Sequence, residues 1–312
     1  MNKKLLLPAM MLAVAFTSCS NDDDATPTMK SSALGVNVTV NKMSRAMVEG
    51  TKLLDGSIIG VSVVETDGSD YDDKATGYKN VSYTASTQDA KQVWTPTADI
   101  MLSGTAGKAI AYFPYDANAN DYAAIAVDIA DQKDWMYSGE ETGLSDANAT
   151  VSFELQHAQT AVNVKVVRDA NYTGAGVVDA LSVKSEGFAK TGTFSAVDGT
   201  WDNLTGANDA IGIASQFTLT EDNPATDDVV ESEQENPYMI IPAAAEKKDF
   251  IISATLDGKP YNVTVNMNEA FAAGKVYKIN VKMTNVGLKV DGVVVMNDWT
   301  PSDLGEGTLA PQ

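Results

Sequence analysis

Apolar and polar residues alternate along this chain in short runs, punctuated by Gly, Asp, Asn and Pro. Leu34-Gly35-Val36-Asn37-Val38-Thr39-Val40-Asn41 keeps a period of two without a fault. It places Leu34, Val36, Val38 and Val40 on one face of a half-buried strand. Burying four such side chains is worth roughly 6–12 kcal/mol before the ordering entropy is subtracted. Further strands are predicted at 58–64, 109–113, 123–129, 151–155, 161–167, 177–183, 250–256, 261–267 and 276–283. Near the C-terminal end Val286-Gly287-Leu288-Lys289-Val290 alternates again. Asp291-Gly292 then reads as a turn, and Val293-Val294-Val295 resumes the strand. Neither a long helical period nor an internal repeat is visible, so the class expected is all-β.

One stretch departs from this pattern. Lys3 and Lys4 precede an apolar run over residues 5–16, about a dozen residues, where a spanning helix needs about 20. The positive end and the short run read as an export signal. The run ends in Phe16-Thr17-Ser18-Cys19, and small residues just ahead of a cysteine resemble a lipobox. On that reading residues 1–18 are a lipoprotein signal, and Cys19 is acylated and becomes the new N-terminus. An ordinary signal peptide with an incidental cysteine is the other reading. Asp22, Asp23 and Asp24 follow, resembling the surface-export tag of some Gram-negative lipoproteins or serving as solvated linker.

Composition narrows the function classes. The 312 residues are 44% hydrophobic, enough for two domains of ordinary size or one large one. With 7% aromatics and 23 glycines, the chain suits strands and turns. A formal charge of -20 repels nucleic acid and anionic lipid headgroups, which removes both as expected partners. Histidine and cysteine each occur once, at His157 and Cys19. They can form neither a catalytic triad nor a zinc site, so no enzyme, metal or cofactor is expected.

Ser44-Arg45-Ala46, followed by Leu53-Leu54-Asp55-Gly56-Ser57-Ile58-Ile59-Gly60-Val61, resembles the segment around the maturation site of fimbrillins. Tyr112-Phe113-Pro114-Tyr115, Asp134-Trp135-Met136-Tyr137 and Phe153-Glu154-Leu155-Gln156-His157-Ala158 extend the resemblance. So do Tyr238-Met239-Ile240-Ile241-Pro242, Gly274-Lys275-Val276-Tyr277-Lys278-Ile279 and Asn297-Asp298-Trp299. The resemblance implies two tandem transthyretin-like β-sandwich domains, over 46–156 and 157–312, after a lipidated propeptide at 19–45. It implies an arginine-specific protease that cuts between Arg45 and Ala46 and removes the strand of Leu34, Val36, Val38 and Val40. The emptied groove then accepts a strand from the next pilus subunit. In this chain Val286, Leu288, Val290, Val293 and Val295 would form such a donor, although a terminal hairpin closing its own sheet also fits. The partners implied are copies of the chain, other pilus subunits, the protease and a receptor. The precursor would sit at the outer membrane and the mature form in an extracellular, adhesive pilus. A chain with both groove and donor suits the shaft.

Other constellations have plainer readings. His157 could be a general base, but no nucleophile motif lies near it, and a structural histidine at a domain junction fits better. The acidic stretches at 67–73 and 221–235 lack the ligand spacing and central glycine of a calcium loop, and read as solvated loops. Among 42 acids nothing singles out a glycosidase pair. Trp94, Trp135, Trp201 and Trp299 read as core or edge anchors; as a surface platform they would instead suit a monomeric, glycan-binding lipoprotein.

Overall fold

The computed structural model describes residues 31–41, 48–49, 51–73, 78–219, 238–244 and 246–296. The protein is all-β. Its first part carries β1 (Gly35–Val40), β2 (Ile58–Glu65), β3 (Val81–Gln88), β4 (Lys91–Pro96), β5 (Gly107–Phe113), β6 (Ile125–Asp128), β7 (Met136–Leu144) and β8 (Thr150–His157). There follow β9 (Thr160–Arg168), β10 (Val177–Ser185), β11 (Phe188–Ala189), β12 (Thr191–Phe194), β13 (Trp201–Thr205) and β14 (Ile211–Ala214). The last are β15 (Tyr238–Pro242), β16 (Phe250–Leu256), β17 (Lys259–Val265), β18 (Val276–Thr284) and β19 (Gly287–Met296).

A seven-stranded sheet runs in the order β1-β8-β7-β5-β2-β3-β4, with β1 parallel to β8 and the other pairs antiparallel. A five-stranded sheet follows β11-β15-β9-β18-β19, in which β9 and β18 are parallel. A third sheet is built on β14-β10-β16-β17, and β6, β12 and β13 form a fourth. The continuous apolar runs in β2 and β5 have a physical cause: both faces of these strands are covered. Val61, Val63, Ala109 and Phe113 point into a core shared with Val38, Phe153 and Leu155. Val64, Ile110 and Tyr112 point the other way, into a second core with Trp135, Phe194, Phe250 and Tyr277.

The two cores are joined through the middle of the chain. β6 pairs with β12 from Ile125↔Phe194 to Asp128↔Thr191. Trp135 stacks on Tyr112 at 6.3 Å between ring centroids and lies 6.4 Å from Phe194. Tyr112 donates to Asn80 Oδ1 at 2.6 Å and accepts from the Asp116 amide at 3.2 Å. Gly60 lies against this ring, where any Cβ would collide with it.

Two sequence readings are corrected. The strand expected at 123–129 ends at Asp128, whose carboxylate accepts from the Ala130 amide at 2.9 Å and starts a 3-10 turn over Ile129–Asp131. The turn expected at Asp291-Gly292 is absent, and β19 runs straight through it. Val290 faces Val281 and Gly292 faces Asn280, so Asp291 is the extra residue of a β-bulge. Its carboxylate lies 3.5 Å from Lys282 Nζ.

Candidate assembly site

The alternating segment forms the edge strand β1. It pairs in parallel with β8 from Gly35↔Thr150 to Val40↔Leu155. Leu34, Val38 and Val40 are buried and Val36 is half-buried, while Gly35, Asn37 and Thr39 face solvent. Amides at both ends are held: Gly35 donates to Ala149 O at 2.8 Å and Asn41 to Leu155 O at 2.9 Å. On the other side Leu34 donates to Ile100 O at 2.8 Å and Val40 to Thr51 O at 2.9 Å. β1 therefore closes the sheet towards β4, which packs beside it.

The dependence of β8 on this strand is one-sided. Its other neighbour, β7, pairs only at Met136↔His157 and Tyr137↔Gln156. Over 150–155, β1 is the ladder partner among the described residues. Without β1, β8 presents open backbone groups beside the apolar floor of Val151, Phe153 and Leu155. Burial of Leu34, Val38 and Val40 alone contributes about 5–9 kcal/mol gross.

β19 is seated on β18 along its full length, from Thr284↔Gly287 to Val276↔Met296. Leu288, Val290 and Val293 are half-buried against the second core, and Val295 pairs with Tyr277 through its backbone. Val286 does not share this face: it sits in the turn, 89% exposed. The turn is pinned by a residue the sequence reading missed. Asn285 Oδ1 accepts from Thr173 N at 3.0 Å and Thr173 Oγ1 at 3.1 Å, and its Nδ2 donates to Asn171 O at 2.7 Å. An asparagine in a turn is commonplace, and nothing in the sequence links it to a loop more than a hundred residues away.

The lipidation and maturation residues, Cys19, Arg45 and Ala46, lie outside the described residues, as do Trp299 and the acidic stretch at 221–235. His157 is buried with its Nδ1 2.8 Å from Asp134 Oδ1. Next to it Gln159 Oε1 accepts from the Trp135 amide at 2.9 Å. This locks the junction between the cores. In the 67–73 loop Asp67 accepts from Ser69, Asp70 pairs with Lys79, and Asp72 accepts from Thr105 Oγ1 at 2.7 Å. Trp94 and Trp135 are buried, and the half-buried Trp201 donates to Ala158 O at 2.7 Å.

A family model described as fimbrillin-like matches residues 44–299. The chain belongs to the fimbrillin-like family. This fimbrillin-like chain is 21% identical over 323 aligned positions to a Bacteroides uniformis protein provisionally named fimbrium subunit Fim1C, covering 99% of each. A crystal structure from Bacteroides uniformis, provisionally described as a cell adhesion protein, superposes with a TM-score of 0.60. It is 20% identical and covers 87% of this chain and 100% of the other. A Bacteroides ovatus protein with the same description gives 0.56 at 17% identity, over 87% of this chain and 99% of that one. These two likenesses show a shared fold.

Proposed function

We propose that this fimbrillin-like chain is a structural subunit of an adhesive surface pilus, made as a lipoprotein on Cys19 and matured by cleavage between Arg45 and Ala46. It then polymerises by strand exchange. The observation that carries this is β1: an edge strand that ends at Val40, five residues before Arg45, and alone covers the ladder of β8 over 150–155 among the described residues. A cut after Arg45 leaves that strand held by non-covalent contacts only. Its loss opens a groove with an apolar floor, a state relieved by capture of a strand from another subunit. The family match begins at residue 44, beside the same bond.

The donor in this reading is β19, which leaves its own edge position and enters the next subunit's groove. Its half-buried Leu288, Val290 and Val293 offer the apolar set the floor requires. The shaft is the favoured position, because one chain then supplies both groove and donor. The test is a double variant, Leu288→Asp with Val290→Asp, cleaved at Arg45 and imaged by electron microscopy. Each aspartate buries an unpaired charge at a cost of several kcal/mol. Cleaved wild type should form fibres, and the variant, if folded by circular dichroism, should not. A folded variant that still forms fibres removes β19 as the donor. Palmitate labelling should mark the precursor and vanish in Cys19→Ala; an equally labelled variant ends the lipidation claim.

A further inference from the structure

The chain has 22 basic residues, of which two are arginine, Arg45 and Arg168, leaving twenty lysines. Lysine and arginine are equally good at keeping a surface charged, so this imbalance has no role in solubility. It matters to a protease whose pocket reads the planar guanidinium fork and rejects the ammonium point charge. From residue 191 to 246 there is no basic residue of either kind.

Arg168 lies at the end of β9, 7% exposed. Its Nη1 donates to Leu219 O at 3.3 Å, and its Nη2 to Tyr172 O at 3.1 Å and Gly174 O at 3.0 Å. The guanidinium carbon sits 5.3 Å from the centroid of the Tyr172 ring. The peptide bond that follows is also engaged: the Asp169 amide donates to Met283 O at 2.9 Å. A protease needs the arginine side chain free and several residues extended in its cleft. Here both requirements are blocked, and meeting them means opening β9 from β18 and breaking up the 169–176 loop. The same geometry explains why an arginine stands here. A lysine has one nitrogen and cannot hold these three carbonyls in a fork.

We propose that the folded chain downstream of Ala46 is built to resist an arginine-directed, lysine-rejecting endopeptidase, because Arg168 is locked and lysine carries the remaining positive charge. The proposal rests on the maturation reading above and deepens it: one enzyme class can release the strand without degrading the subunit. Exposed basic positions such as Lys52, Lys133 and Lys247 are then harmless to that enzyme.

The test treats the full-length chain with an arginine-selective endopeptidase, in buffer and in urea, and reads the fragments by mass spectrometry. In buffer a single cut after Arg45 is expected, with cleavage after Arg168 at least ~100-fold slower, since a folded segment is cut in proportion to its opened population. In urea the Arg168 cut appears, and Arg168→Lys abolishes it. Lys247→Arg, in an exposed loop, should add a second cut in buffer. Cleavage after Arg168 in buffer at a rate near that of Arg45 overturns the proposal, and so does a Lys247→Arg chain that stays uncut at residue 247. Failure to cut after Arg45 overturns the maturation reading, whereas the Arg168 and Lys247→Arg fragments decide the resistance independently.

Discussion

His157 and Asp134 face each other where the two cores meet, both buried, with Asp134 Oδ2 lacking a hydrogen-bond partner among the described residues. Removing His157 leaves the buried Asp134 side chain without its hydrogen-bond partner, so His157→Leu should lower unfolding free energy by about 1–3 kcal/mol in urea titration. A change below 1 kcal/mol would show that the pair holds nothing together. Asp257 makes a different case. The Tyr172 hydroxyl at 2.6 Å and the Val177 and Gly176 amides donate to its carboxylate and hold it below the usual range. Burial and the same carboxylate push Tyr172 up to about 12. A depressed carboxylate stabilises the fold above its unfolded pKa of about 3.9, and that contribution is lost as pH falls through the lower, folded value. Asp257→Asn should therefore flatten the acid limb of the stability curve below about pH 4, leaving the region above it unchanged; parallel curves below that pH would contradict the assignment. That His157 is buried and has a polar partner was legible from its place in the chain. The identity of that partner was not, because a bond across 23 positions leaves no local trace.

At the scale of elements, β1 was read almost residue for residue, since half-burial imposes the alternation that the sequence displays. β7 escaped because Met136–Leu144 is mostly polar: it is held by neighbours on both sides rather than by its own apolar face, and it bends at Gly139 and Gly143. Asp-Gly at 291–292 misled for a related reason, since the pair that favours a two-residue turn also suits a bulge. Val38→Asp should destabilise the uncut chain by roughly 3 kcal/mol, yet leave assembled fibres as stable as wild type, because in the proposed maturation Val38 departs with the cleaved strand. Fibres weakened equally would contradict its removal. Asn285→Ala should cost about 1 kcal/mol and raise hydrogen exchange along β19 selectively. Unchanged exchange there would show that the 169–176 loop does not restrain the hairpin.

For the molecule as a whole, β2 and β5 form a wall between the cores, and β6 continues into the sheet of β12. Phe194→Ala, which removes the ring between Trp135, Tyr137 and Trp201, should cost about 3–5 kcal/mol. It should also lower the melting of both cores together, in one transition. The all-β class was legible in the short alternating runs. The wall was not, because period alone cannot say which two layers will cover a continuous apolar strand. The proposed maturation turns on one bond, Arg45–Ala46, and the most direct measurement is the N-terminus of the subunit in fibres detached from cells, read by mass spectrometry alongside electron micrographs. The prediction is fibres whose subunit begins at Ala46. A surface protein that begins at an acylated Cys19 and forms no fibres would contradict it.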